Sequence, residues 1–188
     1  MNETKFLKNY FNSLKELINS EKYLEDLIKV KNILLETNSA GKKTMIFGNG
    51  GSAAISSHFS VDLTKNARVR CTNYNESDLL TCFSNDYGYE KWVEKTIEFY
   101  GDDGDSLILI SAGGNSPNMI NGAKFAKNKK IKNIITFTGN DRNNSLNKLG
   151  DINFWVNSKA YNHIENVHQI LLLSLVDLII GKTEYPPN

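Results

Sequence analysis

Thr44-Met45-Ile46-Phe47-Gly48-Asn49-Gly50-Gly51-Ser52-Ala53-Ala54 opens on a short apolar run, passes through glycines and ends in small residues. An apolar run without polar alternation is the pattern of a strand buried on both faces of a parallel sheet. The pattern recurs further along. Leu107–Ile110 ends in Ser111-Ala112-Gly113-Gly114, Asn133–Thr138 ends in Gly139, and Ile152–Val156 reads as a fourth strand. Helices are expected over 52–66, 117–129 and 162–180, with Pro117 at a first helical position, where its missing N–H costs nothing. Strand, glycine-rich turn and helix in repetition describe an α/β protein with a doubly wound parallel sheet. Such sheets bind ligands beyond the carboxyl ends of their strands, which makes the loops after 47 and 110 the candidate site.

Upstream of this unit, Phe6, Leu7, Tyr10, Leu14, Leu17 and Ile18 recur at spacings of three and four, as on an amphipathic helix. A second series, Leu24, Leu27, Ile28, Leu34 and Leu35, is interrupted by Lys31 and has Ser20 as its N-cap candidate. The chain reads as a single domain of 188 residues, with a helical hairpin over 1–38 and an α/β core over 39–188. A hairpin buries little by itself, so it either packs on the domain or builds a subunit interface, and the interface is the preferred reading.

The 22 Lys and Arg nearly balance 21 Asp and Glu, for a formal net charge of +1. That leaves no field for general nucleic-acid or membrane binding. Cys71 and Cys82 have neither CxxC spacing nor histidines beside them, so no disulfide framework or thiolate zinc module is expected. The N-terminus shows no basic segment leading an apolar run. The longest apolar stretch, Ile170–Ile180, contains Ser174 and Asp177 and falls short of the roughly 20 residues a bilayer needs. A cytoplasmic protein is the expectation. Three histidines mean that any metal site must draw on carboxylates. The 25 asparagines are scattered and read as compositional drift.

The Gly48–Ala54 turn lets a backbone approach an anion closely, and the helix start behind it offers free N–H groups and the Ser52 hydroxyl. No Gly-Lys-Ser/Thr follows, so it is not a nucleotide P-loop. It fits G-x-G-x-x-A, but Arg70-Cys71-Thr72-Asn73-Tyr74-Asn75 lacks the acidic residue a dinucleotide site requires, and no nucleotide cofactor is expected. A sugar-phosphate cradle and a merely structural turn remain. The Ser111–Asn118 turn repeats the arrangement, with Ser111 and Ser116 as hydroxyl donors. Two such turns favour the cradle.

GNGGSAA followed by His58, SNDYGYE at 84–90, LILISAGGNSPN at 107–118 and HIENVH at 163–168 resemble the SIS (sugar isomerase) domain, its phosphoheptose isomerase subgroup in particular. The resemblance spans about residues 40–181 and implies a five-stranded parallel sheet flanked by helices, in a homotetramer with active sites between subunits. It also implies interconversion of sedoheptulose 7-phosphate and D-glycero-D-manno-heptose 7-phosphate through an enediol, supplying heptose for surface polysaccharide. It places Asn49, Gly50, Gly51, Ser52, Asn85, Asp86, Ser111, Ala112, Gly113 and Ser116 against the substrate. The family's second loop is Ser-Thr-Ser-Gly-Asn-Ser, so Ala112 and Gly113 each lack a hydroxyl found there.

Isomerisation needs a base at carbon and an acid–base group or metal at oxygen. His58 and Asp62 share a helix face. By resemblance they correspond to a zinc-ligating His and to a Glu that is both ligand and base. Asp62 is shorter, setting its carboxylate back by roughly 1 Å. Glu165 stands at a ligand Gln, and Leu173 replaces the acid–base His. The implied zinc set is therefore His58, Asp62 and Glu165, with Asp62 or Glu165 as base. His168 matches a non-ligand histidine, and His163 is the candidate substitute for the missing one. The other reading is a catalytically impaired module that binds a sugar phosphate or a protein.

Overall fold

The computed structural model describes residues 1–18 and 21–186, so the Ser20 cap lies outside the described residues. Helix α1 is Glu3–Ile18 and α2 is Leu24–Ser39. Strand β1 (Thr44–Gly48) leads into α3 (Gly51–Lys65). Next come β2 (Cys71–Thr72), α4 (Ser77–Tyr87) and α5 (Trp92–Tyr100). Strand β3 (Ser106–Ser111) runs into α6 (Pro117–Asn128), and β4 (Asn133–Thr138), β5 (Ile152–Trp155) and α7 (Tyr161–Ile180) complete the chain. All five strands are parallel, in the order β2-β1-β3-β4-β5.

Alternate residues of β1, β3 and β4 serve two cores. Ile46, Ile108, Ile110, Ile135 and Phe137 face α2, α3 and α7, where Val30, Leu34, Phe59, Leu63 and Leu172 are fully buried. Met45, Phe47, Leu107, Leu109 and Ile134 face α5 and α6, against Trp92, Ile97, Met119 and Ala123. Because both faces are covered, the strands read as continuous apolar runs.

The four strands and the helices flanking them form where the sequence places them. The fifth strand, implied by resemblance, is the two-residue edge β2. The N-terminal hairpin divides in two. Helix α2 packs on α7 and the sheet, whereas α1 touches α7, has no buried residue and leaves Phe6, Leu7 and Phe11 exposed. Helix α2 thus packs on its own domain through Val30 and Leu34 while leaving Leu24 and Ile28 exposed on its other side. Helix α7 is apolar enough to pass for a membrane span, but its face running from His163 to Val176 is buried against the domain.

Candidate active site

Strands β1 and β3 are neighbours, and Gly48 is level with Ile110. Beyond them the chain parts. It turns into α3 on one face of the sheet and into α6 on the other, leaving the crevice of a topological switch point. A cavity of about 380 Å³ lies there. Asn49 and Ser52 line it from the first loop; Ser111, Ala112, Gly113, Asn115 and Ser116 line it from the second. Asn140, Tyr161 and Glu165 close it.

The first loop depends on close approaches. A Cβ at Gly48 would stand 2.3 Å from the Ser52 carbonyl oxygen, and one at Gly51 2.3 Å from Glu165 Oε2. Gly50 caps α3 in the left-handed region at φ 54°, with no side-chain capping bond. Its bare helix start is compatible with an anion. Gly50 does not line the cavity; Gly51 lines the adjoining one. In the second loop Ser111 Oγ and Ser116 Oγ are 3.0 Å apart, and Gly114 N donates to Ser111 Oγ at 3.1 Å. Ser116 stands at the N-cap of α6 without making a capping bond.

An amide pair that sequence reasoning missed ties the two loops. Asn118 Nδ2 donates to Asn49 Oδ1 at 2.8 Å, and Asn49 Nδ2 returns a bond to Asn118 Oδ1 at 3.1 Å. Tyr89 Oη donates to the same Asn49 oxygen at 3.0 Å, so the segment between α4 and α5 braces the cradle. Asn118 is buried. The only available signals were two asparagines in loops already marked as the site.

Glu165 also lines a second cavity, of about 470 Å³, with Gly51, His58, Asn162 and Gln169. His58 Nε2 lies 3.3 Å from Asp62 Oδ2, and its Nδ1 lies 3.4 Å from Gln169 Nε2. Asp62 lines neither cavity. Its carboxylate is turned to His58 one helical turn earlier. Of the expected zinc donors, His58 and Glu165 line the same second cavity, whereas Asp62 reaches only His58. Among the described residues no group of three His, Cys, Asp or Glu side chains is placed to hold a metal, so the expected donors do not fit zinc within one chain.

Asn85 and Asp86 sit exposed on α4 and bond to each other at 2.9 Å, lining neither cavity. Helix α4 ends at Tyr87, with Gly88 as its C-cap. His163 is not a replacement acid–base group. It is buried, its ring is 4.3 Å edge-on from Tyr10, and its Nε2 has no partner. His168 is sealed beneath β4, with Nε2 3.1 Å from the Thr138 carbonyl oxygen, and burial lowers its pKa to about 4. It is a neutral core residue.

The SIS domain profile matches residues 5–139. The phosphoheptose isomerase of Aliarcobacter butzleri is 35% identical over 161 residues, covering 82% of this chain and 84% of that protein. That of Fusobacterium nucleatum is 30% identical over 195 residues, covering 100% and 98%. The solved structure of phosphoheptose isomerase from Neisseria gonorrhoeae superposes with a TM-score of 0.86 at 26% identity, covering 96% of this chain and all of that one. With its five-stranded parallel sheet and paired glycine-serine loops, the chain belongs to the SIS domain family, among relatives that are phosphoheptose isomerases.

Proposed function

We propose that the chain is a sugar-phosphate isomerase that moves a proton between adjacent carbons of sedoheptulose 7-phosphate to give D-glycero-D-manno-heptose 7-phosphate. The observation that carries this reading is the Glu165 carboxylate, which lines both the hydroxyl-and-amide cradle and the cavity holding His58. The phosphate rests on the Ser52, Ser111 and Ser116 loops and the sugar extends toward Glu165. Glu165 takes a proton from C1 of the ketose as the C2 oxygen gains one, giving the enediol. Return of a proton to C2 and loss of the O1 proton complete the aldose, with no other reactant consumed. His58, held between Asp62 and Gln169, is the group that exchanges the oxygen protons. No step runs through zinc, because the donor set does not fit it.

Heptose for surface polysaccharide and a cytoplasmic setting extend the same proposal on the family resemblance alone; the named relatives support the heptose phosphate substrate. A homotetramer belongs to the proposal as well, supported by the uncovered Phe6, Leu7 and Phe11 of α1. Asn85 and Asp86, idle in their own subunit, would then serve a neighbouring cavity.

The test is proton exchange at C1 and C2 of sedoheptulose 7-phosphate in deuterated water, followed by NMR, with the protein's metal content measured alongside. Wild type should exchange and interconvert, and Glu165→Gln should lose about 10²-fold or more of the rate. One observation favours a second reading, a binding module: Asp62, Asn85 and Asp86 all stand off the cavities. Saturable binding without any exchange would establish that reading instead.

A further inference from the structure

Tyr161 begins α7 one turn before Glu165, and both residues line the cradle cavity. Residues four apart share a helix face, so one rigid element carries both groups. The Tyr161 ring is 59% exposed, and none of the side-chain hydrogen bonds among the described residues engages its hydroxyl. That hydroxyl hangs over the second loop: a Cβ built on Gly113 would lie 3.4 Å from it. The loop beneath is thin in donors. Ala112 and Gly113 have no hydroxyl, and one of the Ser111 and Ser116 hydroxyls spends its proton on the other.

We propose that Tyr161 is a substrate-binding residue whose phenol donates a hydrogen bond to the phosphate from above Gly113, supplying a donor where Ala112 and Gly113 have none. This rests on the sugar-phosphate reading above. A neutral donor facing a phosphate dianion makes a charge-assisted bond, and its loss should weaken binding about tenfold or more. Because Tyr161 and Glu165 lie on one turn, the bond also fixes the phosphate relative to the base.

The experiment is calorimetric titration of the intact chain with inorganic phosphate and with sedoheptulose 7-phosphate. Tyr161→Phe keeps the ring and the exposed surface, so the fold is not at stake. The expected result is about tenfold weaker binding of both ligands by Tyr161→Phe. Recovery is expected when Gly113→Ser is added in that background, since the new hydroxyl occupies the vacated place. Equal affinity of wild type and Tyr161→Phe for both ligands would overturn the assignment while leaving the isomerase reading intact. A wild-type chain that binds neither ligand would overturn both.

Discussion

Gly51 on α3 and Glu165 on α7 meet so closely that no methyl group fits between them. The obstacle is the far end of a flexible side chain rather than backbone, so Gly51→Ala should fold normally and push the carboxylate aside. A displacement of about 1 Å costs on the order of 10²-fold in rate, which steady-state kinetics beside an unchanged thermal transition would reveal. The residues legible in the sequence were those in loops with a pattern: Ser52, Ser111, Ser116 and the His58–Asp62 pair. Tyr89, Asn140 and Tyr161 were not, because each reaches the crevice singly from a different part of the chain, and Asn118, at the end of a marked loop, was passed over beside its serines. Beside Asn49, already placed at the substrate, the asparagines read as drift include Asn115, Asn118 and Asn140, all of which brace or line the cradle. Asparagine offers both a donor and an acceptor without charge, which suits a site where two loops must be tied beside an anion.

Helices α1 and α2 look alike in sequence and do opposite things. Leu34 of α2 is fully buried against the sheet core, whereas Phe11 of α1 is 61% exposed. Leu34→Ala should cost about 2–5 kcal/mol in urea denaturation. Phe11→Ser should leave that transition almost in place and lower the assembly state seen by light scattering, because no residue of α1 is buried within its own chain. The β1, β3 and β4 runs were readable because burial on both faces keeps them free of charged residues and rich in Ile, Leu and Phe. β2 was not, since two residues carry no period. Helices α4 and α5 also escaped notice. Their apolar positions, Leu79, Leu80, Phe83 and then Trp92, Val93, Ile97, do follow helical spacing. Gly88, at φ 88°, breaks the series into pieces too short to stand out.

The whole molecule carries a buried histidine that is neutral when folded. His168 has a pKa of about 4 in place, depressed by burial, against the ordinary 6.5 of the unfolded chain. Between those values the unfolded chain holds more protons, so stability is complete above pH 6.5, falls as pH drops toward 4, and loses nothing more to this residue below that. The span corresponds to about 3 kcal/mol. Denaturation midpoints at pH 7.5 and 4.5 should show it, and His168→Phe should flatten the difference; equal slopes for the two proteins would rule out His168 as the cause. The strand order places the site between β1 and β3, and no lining residue of the cradle is Lys or Arg. The one acidic side chain in its lining, Glu165, draws no phosphate in, and the dipoles around it have no long reach. Beyond a Debye length of roughly 8–10 Å the cradle exerts no pull that salt could weaken. Capture is therefore set by ordinary diffusion and by fit on arrival, and polyanions such as nucleotides gain nothing from their extra charge.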